Sequence, residues 1–528
     1  MSGIVSNFAI KLITDMARLE IIFVSAVLAG ALISCSGEVL PADGTPEPAI
    51  PELGYDVYPY GAGIHTDTEI TLTFDSVPSA GNTGCIRILK ESGTEVDRIE
   101  MEDVAAEVSK MENTSVYRTT MDILGASAGN GKYYRVVNYT PVRISGNSII
   151  IRLHSAVLDF DTGYSIVIDR EAIKAEGFEG VETGEWTFHT RPAPDSETDV
   201  TVGRQGDTDF RTIQGALDYV CRAGQDAEAT IDIRNGTYEE QLYMRGKDNV
   251  TLRGMSRSGV ILSYANCEDL AYGVGSGTSV RPEPGSEIGR SGGRAVILFE
   301  NCDNIRFENM TLENSWNGDR NQAEVIYFNS GDGKDRLVMV NCNISSRQDT
   351  INAKGYGWFY GCTIEGNVDF IWGSPETVLF ENCTLRIADD TDFSSAYIVQ
   401  CRCLSPLAKG FIFLGCTISA ESGVPDGSVY LARSSGEREY YDNVTYIDCR
   451  MDSSVAAAGW YSIPAPNPSA GTASRGWKES GSRDTSDNAI DMSGRYSGCH
   501  LLTEDECGIY QDRETILQGA GIDFSLPA

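Results

Sequence analysis

The sequence predicts an all-β protein, with a right-handed parallel β-helix preceded by a small β-sandwich. The first observation is a short unit ending in cysteine that recurs six times in the C-terminal part of the chain. The second is a series of short alternating segments in the N-terminal part, separated by Gly, Asn, Pro and Asp. The third is that one segment alone shows the clear apolar periodicity of an amphipathic helix.

Residues 1–34 have the features of a secretory signal of the lipoprotein type. An apolar run (IIFVSAVLAGALIS) follows two basic residues and is too short for a comfortable membrane span. It is followed directly by Cys35, and the junction resembles a bacterial lipoprotein cleavage box with Cys35 as the lipid anchor. The alternative interpretation of the run is a buried helix. Residues 35–52 are rich in Pro and Glu and are interpreted as a flexible tether.

Residues 53–191 are predicted to form the β-sandwich. Their short strands alternate apolar and polar residues, as in a sheet with one buried face. The stretches TLTFDSVP and GEWTFHT resemble bacterial Ig-like modules that precede secreted enzymes. We expect this module to act as a spacer, because it shows no cluster of aromatic residues that would bind a sugar.

A Pro-rich stretch ends this region, and residues 197–528 are predicted to form the β-helix. Its first element is the amphipathic segment 210–220, whose apolar face would cover the exposed end of the solenoid. Short strands at solenoid spacing follow to the end of the chain. No segment after the signal has the length and hydrophobicity of a membrane span.

The cysteines fit a stacked interior row better than disulfides. Each of the six units places Asn, Gly or Asp before its cysteine, and the cysteines are 40, 20, 21, 33 and 33 residues apart. Unpaired cysteine behaves as a small buried hydrophobe. Cys401 and Cys403 lack the partners of a zinc site, and a Cys499–Cys507 disulfide stays open. The six residues are Cys302, Cys342, Cys362, Cys383, Cys416 and Cys449.

Two aspartates have the same phase in successive units. Asp349 lies seven residues after Cys342, and Asp369 lies seven residues after Cys362. In a β-solenoid, equal phase places both carboxylates on one face of neighbouring strands, about 5 Å apart. Two carboxylates that close do not both ionise readily, so one is expected to hold a proton while the other stays charged.

Three motifs around these aspartates resemble the pectin methylesterase family. They are RQDTI at 347–351, EGNVDFIWG at 365–373 and YLAR at 430–433. The family's corresponding motifs are QDTL, GTVDFIFG and YLGRPW. Two earlier stretches, GDTDFRTIQGALD and NGTYEEQLYM, also resemble the start of that family's domain. The resemblance covers about the last 330 residues.

The resemblance implies an aspartyl esterase that acts on pectin. It assigns Asp369 as the nucleophile and Asp349 as the general acid and base. It implies that Arg433 keeps Asp369 ionised. No metal and no cofactor are implied.

The remaining residues of the implied site are amides and aromatic residues. Gln322 and Gln348 would stabilise the oxyanion. Gln400, Trp372 and Phe370 are expected to contact the substrate.

Three positions depart from the family pattern. The Pro-Trp that follows the arginine in the family is Ser434-Ser435 here, the second Phe of its VDFIFG motif is Trp372, and the Tyr after its QDTL motif is Asn352. These changes alter the wall that faces the sugar. The chemistry is therefore better supported than the identity of the substrate.

The net charge limits the possible binding partners. The net charge of −34 argues against nucleic acid as a partner. We expect a monomer at the bacterial outer membrane, on its periplasmic or cell-surface side, held there by the lipid anchor and acting on pectin polysaccharide.

Three other classes of protein are alternatives to an aspartyl esterase that acts on pectin. A serine esterase would use a G-x-S-x-G motif, but neither match follows a clear strand and opens a helix. A pectate-lyase-like β-helix would need calcium ligands. An esterase or thioesterase for another acyl group, or a lipid-anchored protein that binds glycan without catalysis, stays open.

Overall fold

The computed structural model describes residues 53–102, 117–124, 132–139, 141–154, 156–268, 294–318, 321–329, 331–389 and 394–527. The signal segment, Cys35, the tether and both G-x-S-x-G matches lie outside these ranges. The described residues belong to one compact unit, so the predicted boundary between 191 and 197 stays a prediction.

The N-terminal part consists of short strands. In chain order these are β1 (Asp56–Tyr58), β2 (Gly61–Ile64), β3 (Ile70–Thr73), β4 (Ser79–Ala80), β5 (Cys85–Lys90), β6 (Glu95–Glu100), β7 (Tyr117–Leu124), β8 (Lys132–Tyr139), β9 (Val142–Ser145), β10 (Ser148–Ile151), β11 (Gly163–Ile168), β12 (Ile173–Lys174) and β13 (Thr187–Thr190).

Two sheets of this part enclose one apolar core. One sheet has the order β1-β3-β10-β9 and the other β2-β13-β11-β5-β6. Alternate residues such as Ile70 and Leu72 point inward and are 0% exposed, as expected for strands with one buried face. Strands β7 and β8 form a separate hairpin. The predicted small β-sandwich is confirmed.

The remaining strands build the second part. They are β14 (Asp199–Val202), β15 (Ala229–Ile233), β16 (Gly236–Tyr238), β17 (Leu242–Arg245), β18 (Val250–Gly254), β19 (Val260–Tyr264), β20 (Ile297–Glu300), β21 (Ile305–Glu308), β22 (Thr311–Asn314), β23 (Ile326–Asn329), β24 (Arg336–Val340), β25 (Asn343–Ser345), β26 (Ile351–Tyr360), β27 (Thr363–Gly366), β28 (Val368–Glu381), β29 (Thr384–Ile387), β30 (Ala396–Cys401), β31 (Gly410–Leu414), β32 (Thr417–Ala420), β33 (Val429–Ala432), β34 (Val444–Ile447), β35 (Arg450–Met451), β36 (Trp477–Ser480), β37 (Arg483–Asp484) and β38 (His500–Leu501).

These strands pair in parallel and form three faces. The first face runs β14-β15-β18-β21-β24-β26-β28-β31-β34-β36-β38, and the second runs β16-β19-β22-β25-β27-β29-β32-β35-β37. The third face consists of β17, β20, β23, β30 and β33 with the first halves of β26 and β28. The long strands β26 and β28 therefore continue from the third face into the first. The predicted parallel β-helix is confirmed.

The turn before each cysteine explains the recurring unit. Asn301, Asn341, Asn382 and Asp448, each directly before a cysteine, have φ between 50° and 53°. This left-handed conformation is tolerated best by Gly, Asn and Asp. Gly361 and Gly415, which precede the other two cysteines, have φ of 61°. All six cysteines are at most 1% exposed and their thiols are free, as are those of Cys499 and Cys507. The predicted interior row of cysteines is confirmed.

Aromatic rings stack in register inside the β-helix. Phe359, Phe380, Phe413 and Tyr446 occupy the same position in successive coils, with ring centroids 4.5, 4.9 and 4.4 Å apart. The spacing matches the separation of adjacent strands. On the third face, Ile326, Ile351 and Ile371 form a parallel row of buried side chains. Since inner and outer residues alternate, the residue after each isoleucine points outward.

The predicted amphipathic helix is helix α1 (Ile213–Val220). Asp67 of the sandwich accepts hydrogen bonds from the backbone N–H groups of Arg211 and Thr212 at 2.8 and 2.7 Å. Glu240 of the β-helix accepts two more, from Ile213 and Gln214. Carboxylates stabilise helix N-termini in this way. Carboxylates from both the β-sandwich and the β-helix therefore accept hydrogen bonds from the backbone N–H groups at the N-terminus of α1.

The C-terminal segment covers the outside of the first face. Its short helix α2 (Arg513–Ile516) contributes Ile516 to an apolar cluster that includes Trp358. Short 3-10 helices occur at Arg170–Ala172, Cys221–Ala223, Met492–Gly494 and Glu506–Tyr510. Among the residues described above, no helix has the length and hydrophobicity needed to cross a membrane.

Candidate active site

Strand register brings the two aspartates together at the edge of the third face. Gln348 pairs with Val368 and Ile351 pairs with Ile371, so Asp349 lies opposite Asp369 on the next coil. Adjacent strands are about 4.8 Å apart. Both aspartates have left-handed backbone conformations, with φ of 63° and 49°, and are 8% and 5% exposed. The turn thus presents two nearly buried carboxylates side by side.

Asp369 is surrounded by hydrogen-bond donors. The Nε atom of Arg433 lies 2.8 Å from Oδ1, and Nη2 of the same guanidinium also donates to Oδ2. Gln400 Nε2 donates to Oδ2 at 2.9 Å. Burial raises the pKa of Asp369, while the Arg433 and Arg402 guanidinium groups oppose that increase. The donors therefore favour the charged form of Asp369.

Asp349 lies near two other carboxylates, Glu324 and Asp369, and near the guanidinium groups of Arg294 and Arg402. Burial raises its pKa well above the ordinary value, and the charges of Glu324 and Asp369 raise it further. A single guanidinium nitrogen, Nη2 of Arg294, lies 3.3 Å from its Oδ2. These influences favour the protonated form of Asp349.

The two predicted oxyanion residues lie on neighbouring coils. Gln322 directly precedes Ala323, whose N–H donates to the Gln348 carbonyl at 3.1 Å. Gln348 directly precedes Asp349, and both glutamine side chains are partly exposed. The oxyanion role of the two amides stays a prediction.

Trp372 forms part of the outer wall beside the carboxylates. The guanidinium groups of Arg294 and Arg402 lie 5.7 and 5.4 Å from its ring centre, and Tyr327 meets it edge to face at 5.8 Å. Cations near an indole face are held by the ring quadrupole. Trp372 keeps part of its surface exposed, which suits the predicted contact with substrate.

Asn352 occupies the wall position between Tyr327 and Trp372 in strand register. It is 0% exposed, and neither its Oδ1 nor its Nδ2 has a hydrogen-bond partner. Buried amide atoms without partners are uncommon and destabilising. The position where the family carries Tyr thus holds a buried amide without hydrogen-bond partners here.

Two residues that were predicted to contact substrate, Phe370 and Gln400, have other contacts in the structure. Phe370 is 0% exposed and belongs to the interior core, so the prediction that it contacts substrate is wrong. Phe370 and its neighbour Ile371 are both interior, because the strand register shifts between Val368 and Ile371. Gln400 is 8% exposed and directs its amide to Asp369 and Arg402, so it contacts the nucleophile candidate itself.

A second aromatic group lies beyond Asp369. Tyr397 and Tyr430 stack at 5.8 Å, and Tyr461 meets each of them at 5.0 Å. The Arg433 guanidinium lies 4.6 Å from the Tyr397 ring centre. The carboxylate pair is thus bordered by aromatic residues on both sides, and the tyrosine group was not foreseen from the sequence.

Arg294 and Glu324 also belong to the site, but neither was predicted from the sequence. Arg294 Nε donates to both carboxylate oxygens of Glu324, at 2.9 and 2.8 Å, and Nη1 contacts Glu268 at 2.9 Å. One signal was available, since Glu324 interrupts the otherwise apolar stretch that leads into β23. A charged residue in such a stretch is rare unless it is paired.

Comparison with known proteins gives a family match over this region. Residues 292–504 match the pectinesterase family. A probable pectinesterase/pectinesterase inhibitor from Arabidopsis thaliana is 26% identical over 60% of this chain and 52% of its own length. Pectinesterase 31 from the same plant is 28% identical over 50% of this chain and 76% of its own length. A probable pectinesterase A from Aspergillus flavus is 28% identical over 50% and 73%.

The chain spans about half the length of the first of these relatives. Among solved structures, a pectin methylesterase from Erwinia chrysanthemi is 21% identical, with a TM-score of 0.49 over 63% of this chain and 100% of its own. A pectin methylesterase from carrot is 20% identical, with a TM-score of 0.48 over 64% and 100%. The family match spans all the residues of the carboxylate pair and its surroundings except Glu268.

Proposed function

We propose that this chain, whose residues 292–504 match the pectinesterase family, is a carboxylic-ester hydrolase that removes methyl esters from pectin and releases methanol. The observation that carries the proposal is the pair of aspartates in register with opposite surroundings. Asp369 lies among donors and Asp349 lies near two other carboxylates. A charged nucleophile beside a protonated acid is what ester hydrolysis by two carboxyl groups needs.

In the first half of the reaction, Asp369 attacks the carbonyl carbon of the methyl ester and forms a tetrahedral intermediate. The amides of Gln322 and Gln348 donate to the oxyanion, a contribution of up to about 4 kcal/mol for one donor. The bond to the methoxy oxygen then breaks, and Asp349 gives its proton to that oxygen. Methanol leaves, and the acyl group stays on Asp369 as an anhydride.

In the second half, Asp349 acts as a base. Its carboxylate takes a proton from water while the water oxygen attacks the acyl carbon. The bond to the Asp369 oxygen breaks, the sugar leaves as a carboxylic acid that gives its proton to solvent, and both aspartates return to their starting states. Arg433 and Gln400 hold the Asp369 carboxylate in place throughout this cycle.

The test is methanol release from highly methyl-esterified pectin by the purified full-length protein. We expect methanol and new carboxyl groups in equal amounts. Release of an acyl product from other esters without methanol from pectin would favour an esterase for a different substrate. Binding of pectin without any hydrolysis would favour a glycan-binding protein.

We also propose that the protein is held at the bacterial outer membrane by a lipid on Cys35. The apolar run and the cysteine that follows it support this location. Metabolic labelling with a fatty acid tests it, with Cys35→Ala as the variant. We expect label on the natural protein and none on the variant, whereas equal labelling of both would exclude Cys35 as the anchor.

A further inference from the structure

The surroundings of Asp349 contain an ion pair to which the proposed reaction assigns no step. Glu324 lies directly before β23 and is 0% exposed. Its two oxygens lie 2.9 and 2.8 Å from the Nε atom of Arg294. The Nη2 atom of that guanidinium reaches Asp349 at the longer distance of 3.3 Å. The positive charge of Arg294 is therefore committed chiefly to Glu324.

This arrangement contrasts with a simple arginine–aspartate pair. An arginine that faces one carboxylate favours its ionised form. Here a second, buried carboxylate takes up that charge, and its own negative charge opposes ionisation of Asp349. We propose that Glu324, paired with Arg294, is a positioning residue that keeps the proton on Asp349 in the working enzyme. This inference rests on the proposed esterase function.

The charged groups that face Asp349 come from several elements. Glu324 and Asp369 oppose its ionisation, and Arg294, Arg402 and Arg433 favour it. Burial raises the pKa of Glu324 to about 6, so this carboxyl is charged at neutral and alkaline pH. The proton on Asp349 is thus held most firmly in the pH range where an ordinary aspartate would have lost it.

The sign of the expected effect follows from the acid role of Asp349. The alkaline limb of kcat/KM reports the loss of the catalytic proton. Glu324→Gln removes a neighbouring negative charge but keeps an oxygen for Arg294. We expect the alkaline limb to move to lower pH by on the order of one unit. Wild-type and variant rates should converge below pH 6, where Glu324 is itself neutral.

Glu268→Gln is the matched control. Glu268 contacts Nη1 of the same arginine at 2.9 Å, and its side chain is 35% exposed. It contacts Nη1 of Arg294, whereas Asp349 contacts Nη2. The control removes one carboxylate from Arg294 and should leave the alkaline limb in place.

The experiment is the pH dependence of methanol release by the wild type, Glu324→Gln and Glu268→Gln, with melting temperatures to verify folding. A folded Glu324→Gln enzyme with an unchanged alkaline limb overturns the inference, as does an equal shift in the control. If Glu324→Gln does not fold, Glu324→Asp serves instead. It retains the charge, so the limb should stay within about 0.3 units, and a larger shift overturns the inference. Full activity of Asp349→Asn would instead refute the proposed catalytic roles.

Discussion

The two aspartates of the site share a backbone conformation and a position in their coils, yet their surroundings differ. Asp369 is held by Arg433 and by Gln400, which both donate hydrogen bonds to its carboxylate. Arg294, the arginine that contacts Asp349, is shared with two glutamates. A repeated fold thus produces two equivalent carboxyl positions, and residues on other coils make them chemically different.

This comparison shows how a solenoid can separate the pKa values of two like groups. Burial raises the pKa of both aspartates. The difference comes from the coils on either side, because the Asp369 side supplies Arg433 and the Asp349 side supplies Glu324. The proposed roles of acid and nucleophile therefore rest on neighbouring charges, without any change in the turn itself.

The largest effect is expected when the nucleophile is removed. Asp369→Asn keeps the shape of the side chain and the capacity to adopt a left-handed turn, but it cannot attack the ester. We expect kcat to fall by on the order of 10⁴-fold or more. Steady-state methanol release measures this, and the melting temperature should change little. Turnover at the wild-type rate would refute the assignment.

Replacement of the acid tests the other half of the comparison. Asp349→Asn should lower kcat by roughly 10²- to 10⁴-fold, because the leaving methoxide receives no proton. The alkaline limb of the pH profile should disappear together with the group that causes it. If the limb persists at its original pH, another residue supplies the proton.

Arg433→Lys replaces a planar guanidinium, which can donate from two nitrogens to the carboxylate, by an ammonium group with one nitrogen. We expect a loss of about 10- to 100-fold in kcat/KM. The acid limb should move to higher pH, because Asp369 needs to be ionised and Arg433 lowers its pKa against burial. A pH series on pectin measures both. An unmoved acid limb with full activity would show that Arg433 does not act on Asp369.

The smallest effect is expected at the wall between the two aromatic residues. Asn352→Leu replaces a buried amide without partners by an apolar group of similar size, so the free energy of unfolding should rise by about 1 kcal/mol. The control is Asn443→Leu, because Asn443 is equally buried but donates to Ala408 and accepts from Gly476. Denaturant unfolding should show a loss of about 1–3 kcal/mol for the control. A loss of similar size for Asn352→Leu would contradict the interpretation.

The sequence predicts the features that depend only on the position of a residue within its own coil. The recurring cysteine, the left-handed turn before it and the seven-residue offset to each aspartate are all contained within one coil. Parallel stacking then places Asp349 opposite Asp369 without further information. Arg433 was also identified, but through a motif resemblance and not through periodicity.

The sequence does not predict contacts between separate coils. Arg294 lies 30 residues from Glu324 and 55 from Asp349, and no motif links them. Phe370 was misplaced for a related reason, because the bulge around Asp369 decides which neighbours turn inward. The partner of the Gln400 amide likewise depends on a register shift that the chain does not reveal locally.

The contact between Asp67 and the start of helix α1 has a consequence for how the molecule assembles. A β-helix without a lid presents an open coil edge, and such edges join end to end into fibres. Helix α1 covers this edge, and Asp67 from the preceding sandwich accepts hydrogen bonds at the N-terminus of the helix. The end of the β-helix is therefore covered by a helix whose N-terminus is held by a separate part of the chain, which leaves less strand edge open to pairing with a second molecule.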